Sequence, residues 1–272
     1  MMYPIGFSNI ALIPVRASAS HRAEMVTQLL FGEAYYILNY ESDWAKIRTL
    51  FDDYEGYIDA KQVVLMHQSD YKKYDENLYV VDKQVVVHDK MRGFSFTVPQ
   101  GATLPICEDG HTIRLGKEHF ELPIVSTVSY FSDKESKTSY LIDKVYDKAI
   151  KEIALSFLNV PYLWGGRSIL GIDCSGFVQM VYKILLSKKA LPRDASKQVL
   201  CGTNVNFADI RCGDLAFFHN ENGNIVHVGL MLDNETIIHS SAKVRIDKLD
   251  KCGIFCKERE EYSHRLNCIK RI

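Results

Sequence analysis

The sequence predicts an α+β protein, strand-rich in its first half and mixed in its second. Short β-prone runs separated by polar turns fill the chain up to residue 125. Apolar residues at helical spacing first appear from residue 142. Further strand-like segments follow the helices, and helices followed by an antiparallel sheet is an α+β order.

In the first half, Tyr35-Tyr36-Ile37-Leu38, Trp44-Ala45-Lys46-Ile47-Arg48 and Gly56-Tyr57-Ile58 form one set of predicted strands. Leu78-Tyr79-Val80-Val81, Val85-Val86-Val87 and Phe94-Ser95-Phe96-Thr97-Val98 form a second. Two small barrels of about 60 residues each account for the pattern. We expect one over residues 1–66 and the other over 67–125. Residues 126–141 read as a linker, because seven of the fifteen residues from Ser126 to Tyr140 are Ser or Thr. A C-terminal domain is expected over 142–272. It opens with an amphipathic helix whose stripe is Ile142, Val145, Tyr146, Ala149, Ile153, Ala154 and Phe157. A second helix is predicted from Cys174, with Phe177, Val178, Val181, Tyr182 and Leu185 on its apolar face, and it should stop before Leu191-Pro192. Asp194 is placed to cap a short helix through Ser196, Gln198 and Val199. Asp214-Leu215-Ala216-Phe217-Phe218, Ile225-Val226-His227-Val228-Gly229-Leu230 and Thr236-Ile237-Ile238-His239-Ser240 read as strands.

The 272 residues carry a net charge of −1, with 47% hydrophobic and 25% charged residues. That balance is ordinary for a globular protein and offers no basic surface for nucleic acid or anionic membrane. No apolar run approaches the roughly 18 residues of a membrane span. Seven cysteines is an odd number, so at least one is free, which fits a reducing, cytoplasmic compartment. The first fifteen residues lack Lys and Arg and make a poor export signal. Ala17-Ser18-Ala19 has the form of a cleavage site, and a periplasmic or secreted location is the alternative. Cys252, Cys256 and Cys268 are too loosely spaced for a zinc site, and no metal or cofactor is expected.

The chemistry centres on Asp173-Cys174-Ser175-Gly176-Phe177. Cys174 falls in the first turn of its helix, where unpaired N–H groups and the positive dipole end favour a thiolate and should lower the thiol pKa. Gly165-Gly166 and Gly176 bracket it and permit close backbone approach. A structural cysteine needs none of this, although buried packing is the commoner fate of the residue type. The candidate base is His227, with His239 to orient it. A two-residue Asp233-Asn234 loop would set His227 against Ser240 and turn His239 to the other face. A three-residue loop, or a bulge, would set the two histidines opposite one another on one face. The N–H of Cys174, helped by Tyr162, would form an oxyanion hole. His21, His67, His88, His111, His119, His219 and His264 are read as surface or packing residues.

These residues carry a resemblance. Pro161-Tyr162-Leu163-Trp164-Gly165-Gly166, Asp173-Cys174-Ser175-Gly176-Phe177, Leu191-Pro192-Arg193-Asp194-Ala195-Ser196, Gly213-Asp214-Leu215, His227-Val228-Gly229 and Ile238-His239 resemble, in order, the NlpC/P60 cysteine peptidases. The resemblance implies a papain-like NlpC/P60 catalytic domain with Cys174, His227 and His239 as its triad. Upstream, Trp44 and Asp53-Tyr54-Glu55-Gly56-Tyr57-Ile58 are similar to a bacterial SH3-like domain, with a second inferred from strand pattern. The combination resembles γ-D-glutamyl-L-diamino-acid endopeptidases of murein recycling. It implies cleavage of L-Ala-γ-D-Glu-diamino-acid peptides, the diamino acid being meso-diaminopimelate or L-Lys. In such enzymes the first barrel helps to close a pocket for a free N-terminal L-Ala. By resemblance, substrate recognition would fall to Asp173, Ser175, Asp194, Ser196, Tyr162, Trp164, Tyr54, Tyr57 and Glu33. A buried ammonium needs a carboxylate and several acceptors, which this set supplies. Two other readings stand beside it: a papain-like amidase or acyltransferase on the same Cys/His pair, and a non-catalytic cell-wall-binding module.

Overall fold

The computed structural model describes residues 3–67, 70–71, 78–122, 139–186 and 190–272. It divides into two compact units, one of Met1–Tyr130 with Gly165–Ser168, the other of Phe131–Trp164 with Ile169–Ile272. The linker expected at 126–141 lies outside the described residues, except for its last three, which open a helix.

The strands of the first unit are β1 (Ile5–Phe7), β2 (Leu12–Arg16), β3 (Met25–Leu30), β4 (Ala34–Glu41), β5 (Trp44–Thr49), β6 (Glu55–Asp59) and β7 (Val64–Met66). They join in the order β3-β2-β6-β5-β4-β1-β7. Alternation makes the sheet one-sided: Ile13 and Val15 of β2 are buried while Leu12, Pro14 and Arg16 are half-exposed. Their inward side chains pack with Leu29, Tyr35, Ile37, Ala45, Ile47 and Ile58. β8 (Leu78–Val80), β9 (Val85–Asp89), β10 (Phe94–Val98), β11 (Thr103–Pro105), β12 (Thr112–Leu115) and β13 (Glu118–Glu121) follow. They form a four-stranded sheet, β10-β9-β13-β12, and a separate β11-β8 pair. The two strand sets share a core, because Phe31 packs edge-on against Phe96 and Phe120, with centroids 5.7 and 5.1 Å away. Gly32 sits where they meet, at φ +80°, and a Cβ there would lie 1.7 Å from the Thr103 carbonyl oxygen.

β14 (Arg167–Ser168) belongs to this unit, although the sequence places it inside the 142–272 domain. Electrostatics explains the difference. The Arg167 guanidinium, 2% exposed, donates to both oxygens of Glu33 at 2.9 Å and to the Gln28 carbonyl at 2.7 Å. Its backbone N–H donates to Gln28 Oε1 at 2.8 Å. A buried arginine and a buried glutamate are tolerable only together; the fork pairs both carboxylate oxygens with Nη1 and Nη2, while Arg167 Nε has no partner among the described residues.

The second unit contains α1 (Ser139–Ser156), β15 (Gly171–Ile172), α2 (Cys174–Leu186) and α3 (Ala195–Gln198). It also holds β16 (Thr203–Asn204), β17 (Leu215–His219), β18 (Ile225–Met231), β19 (Thr236–Ser241), β20 (Lys243–Leu249), β21 (Gly253–Cys256) and β22 (Glu261–Arg271). The buried stripe of α1 is Ala149, Ile150, Ile153 and Ala154, continued by Phe157. Val145, expected in that stripe, is exposed, because the buried face is narrower than the periodicity suggests. Every residue of α2 except Leu186 is buried, so this helix is core on all sides. It packs on β18, β19, α1 and α3. Phe177 meets Phe157 edge-on at 5.9 Å, and fully burying such a ring contributes roughly 1.5–3 kcal/mol.

The sheet order is β16-β22-β17-β18-β19-β20-β21, with β22 also paired to β21. This second pairing curls the sheet so that its last strand bridges β17 and β21. Side chains from β18, β19, β20 and β22 thereby gather on one concave face.

The buried Arg167–Glu33 pair yields a stability prediction. Glu33→Ala strands the guanidinium and should cost about 3–5 kcal/mol in urea unfolding of the first unit. A loss below about 1 kcal/mol would contradict the structural weight given to the pair.

Candidate active site

Asp173 starts α2. Its carboxylate Oδ1 accepts the Gly176 N–H at 2.7 Å, a side-chain N-cap, and leaves Cys174 as the first helical residue. The N–H of Cys174 is therefore one of the helix-terminal donors without an intrahelical acceptor. The sulfur is reached by the backbone N–H groups of Val228 and Ser175. The neighbour of the expected base thus lies against the expected nucleophile.

The β18–β19 hairpin has a three-residue loop, since Leu232 N–H donates to Thr236 O at 2.8 Å. Leu230 pairs with Ile238 and Met231 with Ile237. Continued by one residue, this register sets Gly229, not His227, opposite His239. The two histidines do share a face, but as diagonal neighbours rather than the opposed pair expected. Gly229 makes the diagonal close: a Cβ there would lie 2.9 Å from His239 Cβ. With no side chain at Gly229, the imidazoles meet, and His227 Nε2 lies 2.8 Å from His239 Nδ1.

The relay extends beyond the expected triad. His239 Nε2 lies 2.9 Å from Asp247 Oδ2 on β20. Arg245 holds the same carboxylate through Nε to Oδ2 at 2.6 Å and Nη2 to Oδ1 at 2.8 Å. Burial pushes the Asp247 pKa up, but hydrogen bonds from His239 and Arg245 outweigh it and hold the carboxyl below its usual range. An ionised Asp247 only accepts, so His239 Nε2 carries the proton and Nδ1 is the acceptor. His227 then donates from Nε2 to His239, and its own Nδ1 is left unprotonated, as a base requires. Burial, then His239 and His264, push the His227 pKa well below its ordinary value.

Cys174 departs from expectation. Its thiol is pushed up to about 12, first by burial and then by Asp173, against the N–H groups of Val228 and Ser175 and against Arg193. A helix end is worth about 0.3–1 kcal/mol, a fraction of a pKa unit. Burial can shift a group by several units. At rest the thiol and the imidazole are therefore both neutral.

His264, read from sequence as surface or packing, stacks on His227 with centroids 4.1 Å apart and planes 24° apart. Burial, followed by His239 and Arg259, lowers its pKa to about 4. One ligand nitrogen from each of His227, His239 and His264 falls within 4.8 Å of the others. An ion must lie near the plane of every imidazole that binds it, about 2 Å from the nitrogen. The near-parallel rings of His227 and His264 cannot both be aimed that way, so the cluster suits proton transfer and not a metal.

Asp173 is also bound by Arg193, 2% exposed, through Nη1 to Oδ1 at 2.9 Å and Nη2 to Oδ2 at 2.5 Å. Arg193 Nη1 further donates to Ser175 Oγ at 2.9 Å. An incoming ammonium would find acceptors here but a carboxylate already neutralised. Burial, then Cys174 and Asp173, raise the Tyr162 pKa, which leaves its phenol protonated and able to donate. Asp194 occupies the N-cap position of α3 without a side-chain cap bond, and its carboxylate lies 3.7 Å from Lys197 Nζ. Ser196 and Trp164 are exposed.

Glu33, Tyr54 and Tyr57 lie in the first unit. The Glu33 carboxylate is engaged by Arg167 rather than offered as an acidic partner for a ligand. Tyr57 Oη donates to Glu41 at 2.9 Å, and the Tyr54 backbone closes its turn on Thr49. Sequence reasoning missed Asp247, Arg245, Arg193 and His264. The run Lys243-Val244-Arg245-Ile246-Asp247 alternates polar and apolar residues, a pattern that could have marked β20 as a strand.

Two family models match the chain: the NlpC/P60 family over residues 159–257 and the bacterial dipeptidyl-peptidase SH3 domain over residues 15–63. Residues 159–257 form an NlpC/P60 domain. The NlpC/P60 domain is that of a hydrolase, a cysteine peptidase, and an SH3-like domain precedes it. A gamma-D-glutamyl-L-lysine dipeptidyl-peptidase of Bacillus subtilis is 44% identical over 86 residues, 31% of this chain and 28% of that protein's length. The protein of the same name from Bacillus cereus is 26% identical over 234 residues, 80% of this chain and 67% of its own length. The crystal structure of an NlpC/P60 family protein from Bacillus cereus shares the fold, with a TM-score of 0.76 at 19% identity. The match covers 98% of this chain and 99% of that one.

Two predictions follow from the NlpC/P60 domain's geometry. Asp247→Asn removes the charge that fixes both tautomers. Alkylation of Cys174 by iodoacetamide at neutral pH, read by peptide mass spectrometry, should slow at least about tenfold; an unchanged rate would remove Asp247 from the relay. The second concerns acid stability. Unfolded histidines titrate near 6.5, whereas His264 titrates at about 4 and His227 well below its ordinary value. Below pH 6.5 the unfolded chain binds protons the folded one refuses, so stability falls with pH. A loss of about 2 kcal/mol for each ring, roughly 4 kcal/mol together, is expected between pH 7 and pH 5 in denaturant titrations. A flat profile would mean that these rings are not buried as described.

Proposed function

We propose that the protein hydrolyses the γ-D-glutamyl–diamino-acid bond of peptidoglycan stem peptides, acting on short peptides with a free N-terminal L-Ala. The observation that carries the reading is the continuous relay His227–His239–Asp247, with hydrogen-bond distances of 2.8 and 2.9 Å, beside the buried Cys174. The relatives' names supply the bond and the dipeptidyl mode, which counts two residues from a free amino end.

The residues support the following sequence. His227 Nδ1 takes the Cys174 proton as the sulfur attacks the γ-glutamyl carbonyl carbon. No ion pair precedes attack, because burial keeps both groups neutral. The imidazolium that forms is held by His239, whose far nitrogen is bound by Asp247. The Cys174 N–H and the Tyr162 hydroxyl are the donors proposed for the oxyanion. Collapse of the tetrahedral intermediate breaks the C–N bond, and His227 returns its proton to the diamino acid's α-amine. Water, deprotonated by His227, then cleaves the thioester and releases L-Ala-D-Glu. The substrate ammonium is assigned to acceptors at Asp173 and Ser175. With Arg193 already on that carboxylate, hydrogen bonds rather than net charge would select it. The free thiols of the chain fit a cytoplasmic enzyme of peptide salvage.

Purified protein should convert L-Ala-γ-D-Glu-L-Lys or L-Ala-γ-D-Glu-meso-diaminopimelate to L-Ala-D-Glu and the free diamino acid, followed by mass spectrometry. Cys174→Ala should lose at least about 10³-fold in rate. Acetylating the substrate's N-terminus should abolish turnover. Transfer of the dipeptide to an added amine without hydrolysis would favour an acyltransferase. No reaction from folded protein would overturn the proposal.

A further inference from the structure

His264 stands outside the relay but stacks on one of its members, His227. The hydrogen bond from Nε2 to His239 fixes His227 at one point only. About that point the ring can still swing, and proton transfer requires Nδ1 to stay aimed at the sulfur. His264 covers one face of the ring, 4.1 Å away and 24° from parallel. Phe218 stands beside it at 5.7 Å, tilted by 45°.

The stacking ring is itself held. His264 Nδ1 lies 2.9 Å from Ser263 Oγ, and its ring meets Phe218 edge-on at 5.8 Å. Its backbone is set by β22, where His264 pairs with Ile254 of β21. The strand that closes the sheet therefore delivers this ring to the base.

We propose that His264 is a positioning residue, which holds the imidazole of His227 in its reactive orientation by stacking on its face. The proposal rests on the reading of His227 as the base. A neutral aromatic face suits the task in both states of the cycle. It packs on the neutral imidazole and attracts the imidazolium weakly through its π-system. A protonated His264 would repel that imidazolium, and burial keeps it neutral at physiological pH.

The test uses His264→Phe, which keeps a stacking ring, with His264→Leu and His264→Ala, which do not. The primary readout is the Cys174 alkylation rate by iodoacetamide at neutral pH, which needs no knowledge of the substrate. Circular dichroism and thermal melts establish that each variant is folded. His264→Phe should stay within about threefold of wild type. His264→Leu and His264→Ala should fall on the order of 10- to 100-fold, the scale of a misplaced base. With the tripeptide, the loss should appear in kcat and leave KM unchanged, because His264 is assigned no substrate contact.

Two outcomes overturn the proposal. Leu and Ala variants that alkylate like wild type would reduce His264 to packing. A Phe variant as slow as Ala would show that an imidazole nitrogen matters and the stack does not. A His227→Ala control separates the levels. If it alkylates at the wild-type rate, the base assignment fails, whatever His264 does. If it is slow while His264→Leu is fast, only the positioning role fails.

Discussion

Asp247 determines which nitrogen of each histidine carries a proton, and the mechanism proposed for Cys174 depends on that assignment. A carboxylate held ionised by Arg245 can only accept. The proton order then passes from His239 to His227 and leaves the unprotonated nitrogen of His227 for the thiol. A protonated Asp247 could donate to His239, and the order would no longer be fixed. In the proposed mechanism the ion pair on β20, two strands from His227, is thus part of the proton machinery. Arg193 has a parallel role at the other end of the site, where it holds the carboxylate that caps the Cys174 helix.

The part of this arrangement that obeys local rules was legible in the sequence. Cys174 at the start of an apolar periodic run, capped by Asp173, is a short-range pattern, and α2 begins where that pattern says. His227 and His239 lie in short segments rich in β-branched residues, and both became strands. Their shared face followed from an odd loop. The diagonal register did not, because it depends on which residue of the loop closes the turn. Asp247 and His264 were missed for a different reason. They reach the site through pairings of β20 and β22 that no local pattern encodes, and His264 depends on β22 pairing with two strands at once. Arg193 stood inside a recognised motif, but a motif does not say which neighbour an arginine will bind.

The thiol shows how magnitudes decide between competing effects. Dipole, N–H donors and Arg193 all favour a thiolate, and reading any of them alone gives the wrong sign. Burial outweighs them because α2 is enclosed on every side. The same enclosure fixes the sulfur between two backbone donors and keeps other nucleophiles away. The free protein holds a neutral thiol, and its reactivity depends on a base to take the proton.

Closure of the sheet by β22 bears on how the protein is made. Translation delivers Cys174, then His227, His239 and Asp247, before residues 261–271 exist. A growing chain can therefore hold every member of the relay with no strand to curl the sheet around them. Concave geometry, and the ring that stacks on His227, come only after the last strand has left the ribosome. A nascent chain of this design holds the relay residues before the strand that gathers them has been made.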